Sequence, residues 1–224
     1  MDGDAPTRQD VIRVCRVLDG MGLVEGFGHV SARLPDGNVL ITPARGLRLV
    51  AESELLIFNL RGELVAGAGT PAPLERWMHL AVYRARPDVN AICRTHSRYA
   101  AALGTADMPI QTAHGFGGML GLRVSVHPER DLITDDAMGR AVAATLGEGA
   151  AVLLRGNGAL VTGATLQQAC VRAIYLEEAA FMQVAAGGLG GTIPFTPEEL
   201  ARRARWYEAE TARAWEYYTS RFAP

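Results

Sequence analysis

The chain has 224 residues, of which 49% are hydrophobic and 21% charged, and its formal net charge is -2. This size and composition suit one well-packed core, so we expect a single domain over residues 1–224, in which residues 188–224 form a C-terminal helical extension. The small net charge and the scattered basic residues argue against binding to nucleic acid or to a membrane surface.

Three cysteines, Cys15, Cys93 and Cys170, form no CxxC pair. They predict buried thiols in a reducing compartment rather than a disulfide framework or a cysteine zinc site. Residues 1–7 are acidic and short of apolar side chains, which is unlike a signal peptide. Because no apolar run approaches the roughly 20 residues of a membrane span, we predict a cytoplasmic protein.

The first third of the chain predicts one helix followed by two strand pairs. Thr7 is placed to cap a helix whose apolar residues recur at helical spacing as far as Gly20. Turn residues 35–38 then separate two apolar runs, which is typical of a β-hairpin. The predicted strands here are 30–34, 39–42, 55–60 and 63–65.

The remaining two thirds alternate between helical and strand patterns. Residues 73–86 predict a helix because their apolar positions follow i, i+3, i+4, i+7 and i+8, and Pro87 ends it. Ser97 can cap the helix after the next strand, and Thr196 with Pro197 opens a final helix. The further predicted strands are 89–93, 122–126, 151–154 and 159–162, and the further helices are 135–146 and 165–186. This order predicts an α/β fold, a three-layer α/β/α domain with a mostly antiparallel central sheet.

Histidines are the main candidates for chemistry, because imidazole binds metals and moves protons near neutral pH. His96 directly follows an apolar strand, where active-site residues tend to lie. Glu75 and His79 are four residues apart, so they project from one helix face. This pair indicates either a metal or proton-transfer site or an ordinary surface pair. His127 carries no further signal and is assigned a structural role.

Three segments resemble the signatures of the class II aldolase/adducin family, in the order and spacing of that family. The segments are Gly28-His29-Val30-Ser31-Ala32-Arg33 with Leu40-Ile41-Thr42-Pro43, residues 80–92 with Thr95-His96-Ser97, and residues 152–163. The resemblance spans residues 8–185 and implies the family's three-layer fold. The family contains phosphosugar aldolases, epimerases and dehydratases, decarboxylases of aromatic hydroxy acids, and adducin, which is not an enzyme.

In the enzymes of this family, three histidines hold a divalent metal and a glutamate acts as acid/base or as an extra ligand. Here Arg94 stands at the first histidine position and Asn157 at the third, while His96 and Glu75 match the pattern. Arginine keeps its proton and cannot ligate a metal, and an asparagine oxygen is a poor zinc ligand. The resemblance therefore leaves two alternatives: a divalent metal (Zn, Mn or Fe) held by His96 and Glu75, or no metal.

The phosphate-binding residues of the phosphosugar members are also altered. Their Ser-Ser-Glu triplet is replaced by Pro73-Leu74-Glu75, and the asparagine of their Gly-Asn-x-Ser loop is replaced by His29. The variant Glu75-Arg76-x-x-His79, together with Gly28-His29-Val30-Ser31 and the downstream His114-Gly115, is more similar to the pyridine or dihydroxy-aromatic carboxylate decarboxylases of the family. Arg94 suits a carboxylate substrate, because a guanidinium can bind a carboxylate through two hydrogen bonds.

The sequence therefore predicts a lyase that decarboxylates or cleaves a hydroxylated carboxylate, a small-molecule substrate, rather than a phosphosugar. The predicted catalytic residues are Glu75, Arg94 and His96. The predicted substrate-binding residues are His29, Ser31, Thr42, His79, His114 and Asn157. Two alternatives stay open: a non-catalytic, adducin-like domain that has lost the metal site, and a sugar-phosphate aldolase or epimerase. Family analogy also predicts a homotetramer with the site near a subunit boundary.

Overall fold

The computed structural model of the protein describes residues 7–67 and 69–223. Residues 1–6, which were used above to argue against a signal peptide, lie outside the described residues. Within the described ranges, no helix combines the length and the apolar character needed to cross a membrane.

The described residues form helices and strands that alternate along the chain. The α-helices are α1 (Arg8–Gly20), α2 (Arg76–Ala85), α3 (Arg98–Thr105), α4 (Asp136–Leu146), α5 (Leu166–Gly187), α6 (Pro197–Ala204) and α7 (Tyr207–Phe222). The strands are β1 (His29–Arg33), β2 (Val39–Ile41), β3 (Leu56–Phe58), β4 (Leu64–Ala66), β5 (Ala91–Thr95), β6 (Ile110–Gln111), β7 (Arg123–His127), β8 (Ala151–Leu154) and β9 (Gly158–Gly163).

These strands form one nine-stranded sheet in the described chain, in the order β4-β3-β2-β1-β5-β9-β8-β7-β6. All neighbouring strands are antiparallel except β7 and β8, which are parallel. The predicted mostly antiparallel sheet is therefore confirmed. The site described below depends on the centre of this sheet, where β1, β5 and β9 lie side by side.

Two apolar clusters lie on opposite faces of the sheet, because successive strand residues point to opposite sides. Cys93 belongs to the cluster that packs against α1, α3, α5 and α7. Its neighbour Ile92 belongs to the cluster that packs against α2 and α4. Helices therefore cover both faces, and the predicted three-layer α/β/α architecture is confirmed. The three cysteines are buried and free, as predicted.

Side-chain capping begins several helices where the sequence predicts it. The Thr7 side chain and Asp10 form a reciprocal capping box at α1. Thr196 and Glu199 form another at α6, with Pro197 in the first turn. The Thr7 and Thr196 hydroxyls accept hydrogen bonds from N–H groups in the first helical turn, which would otherwise have no partner within the helix.

The predicted cap of α3 is wrong. Ser97 occupies the cap position, but its hydroxyl donates to Thr95 Oγ1 at 3.0 Å instead of bonding the helix. The carboxylate of Glu177, on α5, accepts hydrogen bonds from the N–H groups of Tyr99 and Ala100 at 2.9 and 3.0 Å. A glutamate distant in sequence therefore caps this helix, and no local pattern reveals such a partner.

Several predicted boundaries also differ from the structure, and three of these differences concern the site or the C-terminal helices. The helix predicted over 73–86 spans Arg76–Ala85, because residues 74–75 form a turn and Glu75 takes the cap position. The strand predicted at 89–93 is shifted to Ala91–Thr95. The single final helix is two helices, since the Trp206 N–H bonds the Arg203 carbonyl in a tighter turn at 3.1 Å. Neither glycine nor proline marks that break.

Candidate active site

The candidate site lies where α2 crosses the ends of β1 and β5. Strand register pairs His29 with Arg94, so their side chains share one face of the sheet. Glu75, His79 and Tyr83 are spaced four residues apart and form one stripe along α2 and its first turn. Helix packing lays this stripe over the face that carries His29 and Arg94.

Arg94 is the centre of a buried ionic network. Its side chain is fully buried, with Nη1 donating to the Thr95 carbonyl oxygen at 2.6 Å. Its Nη2 lies 3.2 Å from Oε2 of Glu75, which is itself 7% exposed. The other carboxylate oxygen, Oε1, accepts a hydrogen bond from Asn157 Nδ2 at 3.0 Å. Guanidinium, carboxylate and amide thus form one connected unit.

A sharp turn between β8 and β9 brings Asn157 to this unit. Gly158 has φ +88, which is the left-handed region that glycine adopts without strain. A Cβ at this position would clash with the Thr95 carbonyl oxygen and would lie 3.1 Å from Arg94 Nη1. Only glycine therefore allows this close approach of β9 to Arg94.

Several buried nitrogen atoms around Arg94 have no hydrogen-bond acceptor or donor among the described residues. They are Nε and Nη2 of Arg94, Nδ1 of His29 and Nε2 of His79. The Arg94 Nη2 group attracts Glu75 electrostatically but is not aligned with it as a hydrogen bond. Leaving such groups unpaired costs free energy, so this arrangement is suited to a bound anion.

The histidines of the site are poor bases. Burial lowers the pKa of His29 well below its usual value, and repulsion between a protonated His29 and the cationic forms of His79, Arg94 and His96 lowers it further. Burial, and to a smaller extent the charge of Arg94, lowers the pKa of His96 to about 4. Both imidazoles are therefore neutral at pH 7 and can act as hydrogen-bond donors or acceptors.

His96 also lines a small cavity at the end of β5. The cavity has a volume of about 220 Å³ and is lined by Gly22, Val24, Glu25, Phe27, His96 and Arg98. The Phe27 ring lies 6.1 Å from the His96 ring and is largely exposed.

The predicted substrate-binding hydroxyls are already used by the protein. Thr42 Oγ1 accepts a hydrogen bond from the Val30 N–H at 3.1 Å, and Thr42 is fully buried. Ser31 Oγ lies 2.7 Å from His79 Nδ1 and is also fully buried. Both hydroxyls support the strands and helix that form the site.

Within the single chain, His114 does not join the cluster around Arg94. His114 lines a separate cavity of about 380 Å³ that is bounded by α5 and by residues 191–193. Its ring contacts Phe116 at 5.2 Å between centroids. His127 is buried and its Nδ1 lies 2.9 Å from Thr145 Oγ1, in agreement with a structural role.

The donor atoms at the candidate site do not fit the metal centre implied by the resemblance. Within residues 7–67 and 69–223, no group of three or more His, Cys, Asp or Glu side chains is arranged to hold a metal ion. The predicted ligands His96 and Glu75 therefore belong to no such group. Glu75 is engaged by Arg94 and Asn157. The guanidinium of Arg94 occupies the place that the family gives to an imidazole ligand, and it repels cations.

Tyr83 is a site residue that sequence reasoning missed. Its hydroxyl lies 2.8 Å from Ser31 Oγ, so it joins the stripe of Glu75 and His79 through a hydrogen bond. The i, i+4, i+8 spacing of these three polar residues on an otherwise apolar helix face was the signal that could have identified it.

Comparison with known proteins gives consistent results for sequence and structure. The family model "Class II Aldolase and Adducin N-terminal domain" matches residues 9–184. A 3,4-dihydroxyphthalate decarboxylase from Terrabacter sp. is 30% identical, with 89% of each chain covered. The crystal structure of YgbL, a putative aldolase/epimerase/decarboxylase from Klebsiella pneumoniae, is 30% identical with a TM-score of 0.77, covering 87% of this chain and 96% of that one. An L-fuculose 1-phosphate aldolase structure has a TM-score of 0.83 at 24% identity, covering 90% and 96%.

Proposed function

Because this chain belongs to the class II aldolase and adducin family and is a lyase of the class II aldolase type, we propose that it decarboxylates a hydroxylated aromatic carboxylate. The observation that carries this proposal is the set of buried nitrogen atoms around Arg94 that lack a hydrogen-bond partner in the described part of the chain. An anionic substrate oxygen would pair with them. Its relative from Terrabacter sp. acts on such a compound.

Glu75 is proposed as the acid/base. Its carboxylate takes the proton of a ring hydroxyl and returns it to the adjacent ring carbon that carries the carboxylate group. One carboxylate can reach both atoms because they are neighbours on the ring. The bond from that carbon to the carboxylate then breaks, carbon dioxide leaves, and the bonding electrons restore the aromatic ring as a phenolate. The phenolate takes one proton from solvent.

Arg94 is proposed to bind the anionic oxygens of the substrate and to stabilise the charge on the ring oxygen. A fixed guanidinium in a buried site does this without reorganising solvent. His29 and His96 add neutral hydrogen-bond contacts. The roles of Ser31, Thr42, His114 and Asn157 in substrate binding remain predictions, as do the homotetramer and the division into one domain with a C-terminal extension.

The direct test is a comparison of two substrates with the purified full chain. We expect carbon dioxide and a dihydroxybenzoate from 3,4-dihydroxyphthalate, detected by mass spectrometry, and no cleavage of L-fuculose 1-phosphate. Cleavage of the sugar phosphate to an aldehyde and a triose phosphate would contradict the proposal in favour of an aldolase. Binding of either compound without turnover would favour the non-catalytic alternative.

Replacing the carboxylate of Glu75 with an amide should reduce kcat for decarboxylation by roughly 10²–10⁴, because general acid–base catalysis contributes that factor. Glu75→Gln keeps the shape of the side chain but cannot take the hydroxyl proton. The matched control is Glu63→Gln, the same change at an exposed residue that pairs with Arg61. Steady-state kinetics should be measured under conditions in which both variants are folded. If Glu75→Gln has the same kcat as the control, the assignment of Glu75 as acid/base is wrong.

A further inference from the structure

Two fully buried residues of α2 bind the same serine hydroxyl. Ser31 Oγ, on β1, lies 2.7 Å from His79 Nδ1 and 2.8 Å from the Tyr83 hydroxyl. All three side chains are at most 1% exposed. Tyr83, Ser31 and His79 therefore form a buried hydrogen-bonded chain, which we call the Tyr83–Ser31–His79 chain.

The chemistry of the three groups sets the direction of this chain. A phenol is the strongest hydrogen-bond donor among them, and an unprotonated imidazole nitrogen is the strongest acceptor. Among the described residues, Ser31 Oγ is the hydrogen-bond partner of the Tyr83 hydroxyl. Tyr83 therefore donates to Ser31, and Ser31 donates to His79 Nδ1. The opposite direction would leave the phenol hydrogen buried without an acceptor, which is unfavourable.

This direction determines where His79 carries its proton. Because Nδ1 accepts from Ser31, the neutral ring has its hydrogen on Nε2. That Nε2 atom is buried and has no hydrogen-bond partner in the described part of the chain. His79 lies between Glu75 and Tyr83 on the α2 stripe, and its ring centroid is 5.8 Å from that of His29.

We propose that the Tyr83–Ser31–His79 chain fixes the tautomer of His79, so that its Nε2–H is a neutral donor for an anionic substrate oxygen beside Arg94. The substrate part of this inference rests on the proposed function, whereas the tautomer does not. His79 acts here as a binding residue, and Ser31 and Tyr83 are positioning residues that act through it.

The electrostatics of the buried groups agree with this role. Burial, and to a smaller extent the charge of Arg94, lowers the pKa of His79 to about 3, so the ring stays neutral at pH 7. Burial raises the pKa of the Tyr83 phenol above its usual value, so the phenol keeps its proton. A neutral donor next to a guanidinium can bind an anion without adding a second buried positive charge.

Nitrogen NMR of the full chain labelled with ¹⁵N-histidine tests the tautomer directly. His79→Gln identifies the resonances of His79 by their disappearance. We expect a ring protonated at Nε2 and unprotonated at Nδ1 in the wild type at pH 7. In Ser31→Ala, both tautomers should be populated, whereas Ser125→Ala, the same change on β7, should leave the His79 signals unchanged. A wild-type ring protonated at Nδ1 would overturn the inference.

Ligand titration tests the second half of the inference. Saturating 3,4-dihydroxyphthalate should shift the Nε2–H signal of the wild type, and Ser31→Ala should raise Kd by about tenfold, the effect of one hydrogen bond. If that compound does not bind, the proposed function fails, and L-fuculose 1-phosphate then serves as the probe for the same N–H. If the His79 signal shifts with neither ligand, the inference is overturned.

Discussion

Replacing Arg94 with methionine is expected to destabilise the protein by about 3–5 kcal/mol and to abolish decarboxylation. Methionine has a similar length and can fill the space, but it leaves the Glu75 carboxylate buried at 7% exposure without its counter-charge. The loss of activity has a separate cause, since the anionic substrate loses the guanidinium that is proposed to bind it.

Urea unfolding followed by circular dichroism measures the stability change. The combined variant Arg94→Met with Glu75→Gln should regain much of the lost stability, because it removes both charges, but it should stay inactive. Arg61→Met is the matched control: it breaks an exposed pair with Glu63 and should change the free energy of unfolding by about 1 kcal/mol or less. Wild-type stability in the single Arg94→Met variant would show that the buried ion pair is not formed in solution.

Much of the fold can be predicted from local patterns in the sequence. The turn residues 35–38 and the flanking apolar runs identify the β1–β2 hairpin, and the apolar spacing from Leu74 to Val82 identifies α2. These signals succeed because backbone periodicity and side-chain burial coincide there. The break between α6 and α7 cannot be predicted in this way, because no glycine or proline marks it. The two helices contact different parts of the molecule: α6 contacts residues 115–120, whereas α7 contacts α1 and α5.

The site was predictable only in part. Resemblance brings Glu75, Arg94 and Asn157 together, and the structure shows these three in one network. The bonds from Ser31 to His79 and Tyr83 join residues 48 and 52 positions apart, and their partners depend on how α2 lies over β1. His114 is a residue for which the motif and the structure of the single chain differ. Its motif predicts a place in the same pocket, whereas in the structure it lines another cavity.

Zinc binding should appear when the two altered ligand positions are restored together. Arg94→His with Asn157→His supplies two imidazoles beside His96 and removes a permanent positive charge. At ~4 Å and an effective dielectric of ~20, two unit charges repel by about 4 kcal/mol, and a divalent ion is repelled by about twice that. Three neutral nitrogen ligands also restore the donor set that zinc prefers. Either single variant supplies only one of the two imidazoles, so we expect it to bind zinc more weakly than the double variant.

The central claim is that the ion pair of Arg94 and Glu75, and not a three-histidine metal centre, forms the core of this site. Zinc content after incubation with zinc and extensive dialysis, measured by inductively coupled plasma mass spectrometry, tests it most directly. We predict about one zinc ion per chain in the Arg94→His, Asn157→His variant and far less in the wild type. One zinc ion per wild-type chain, lost on substitution of His96 by alanine, would contradict the claim.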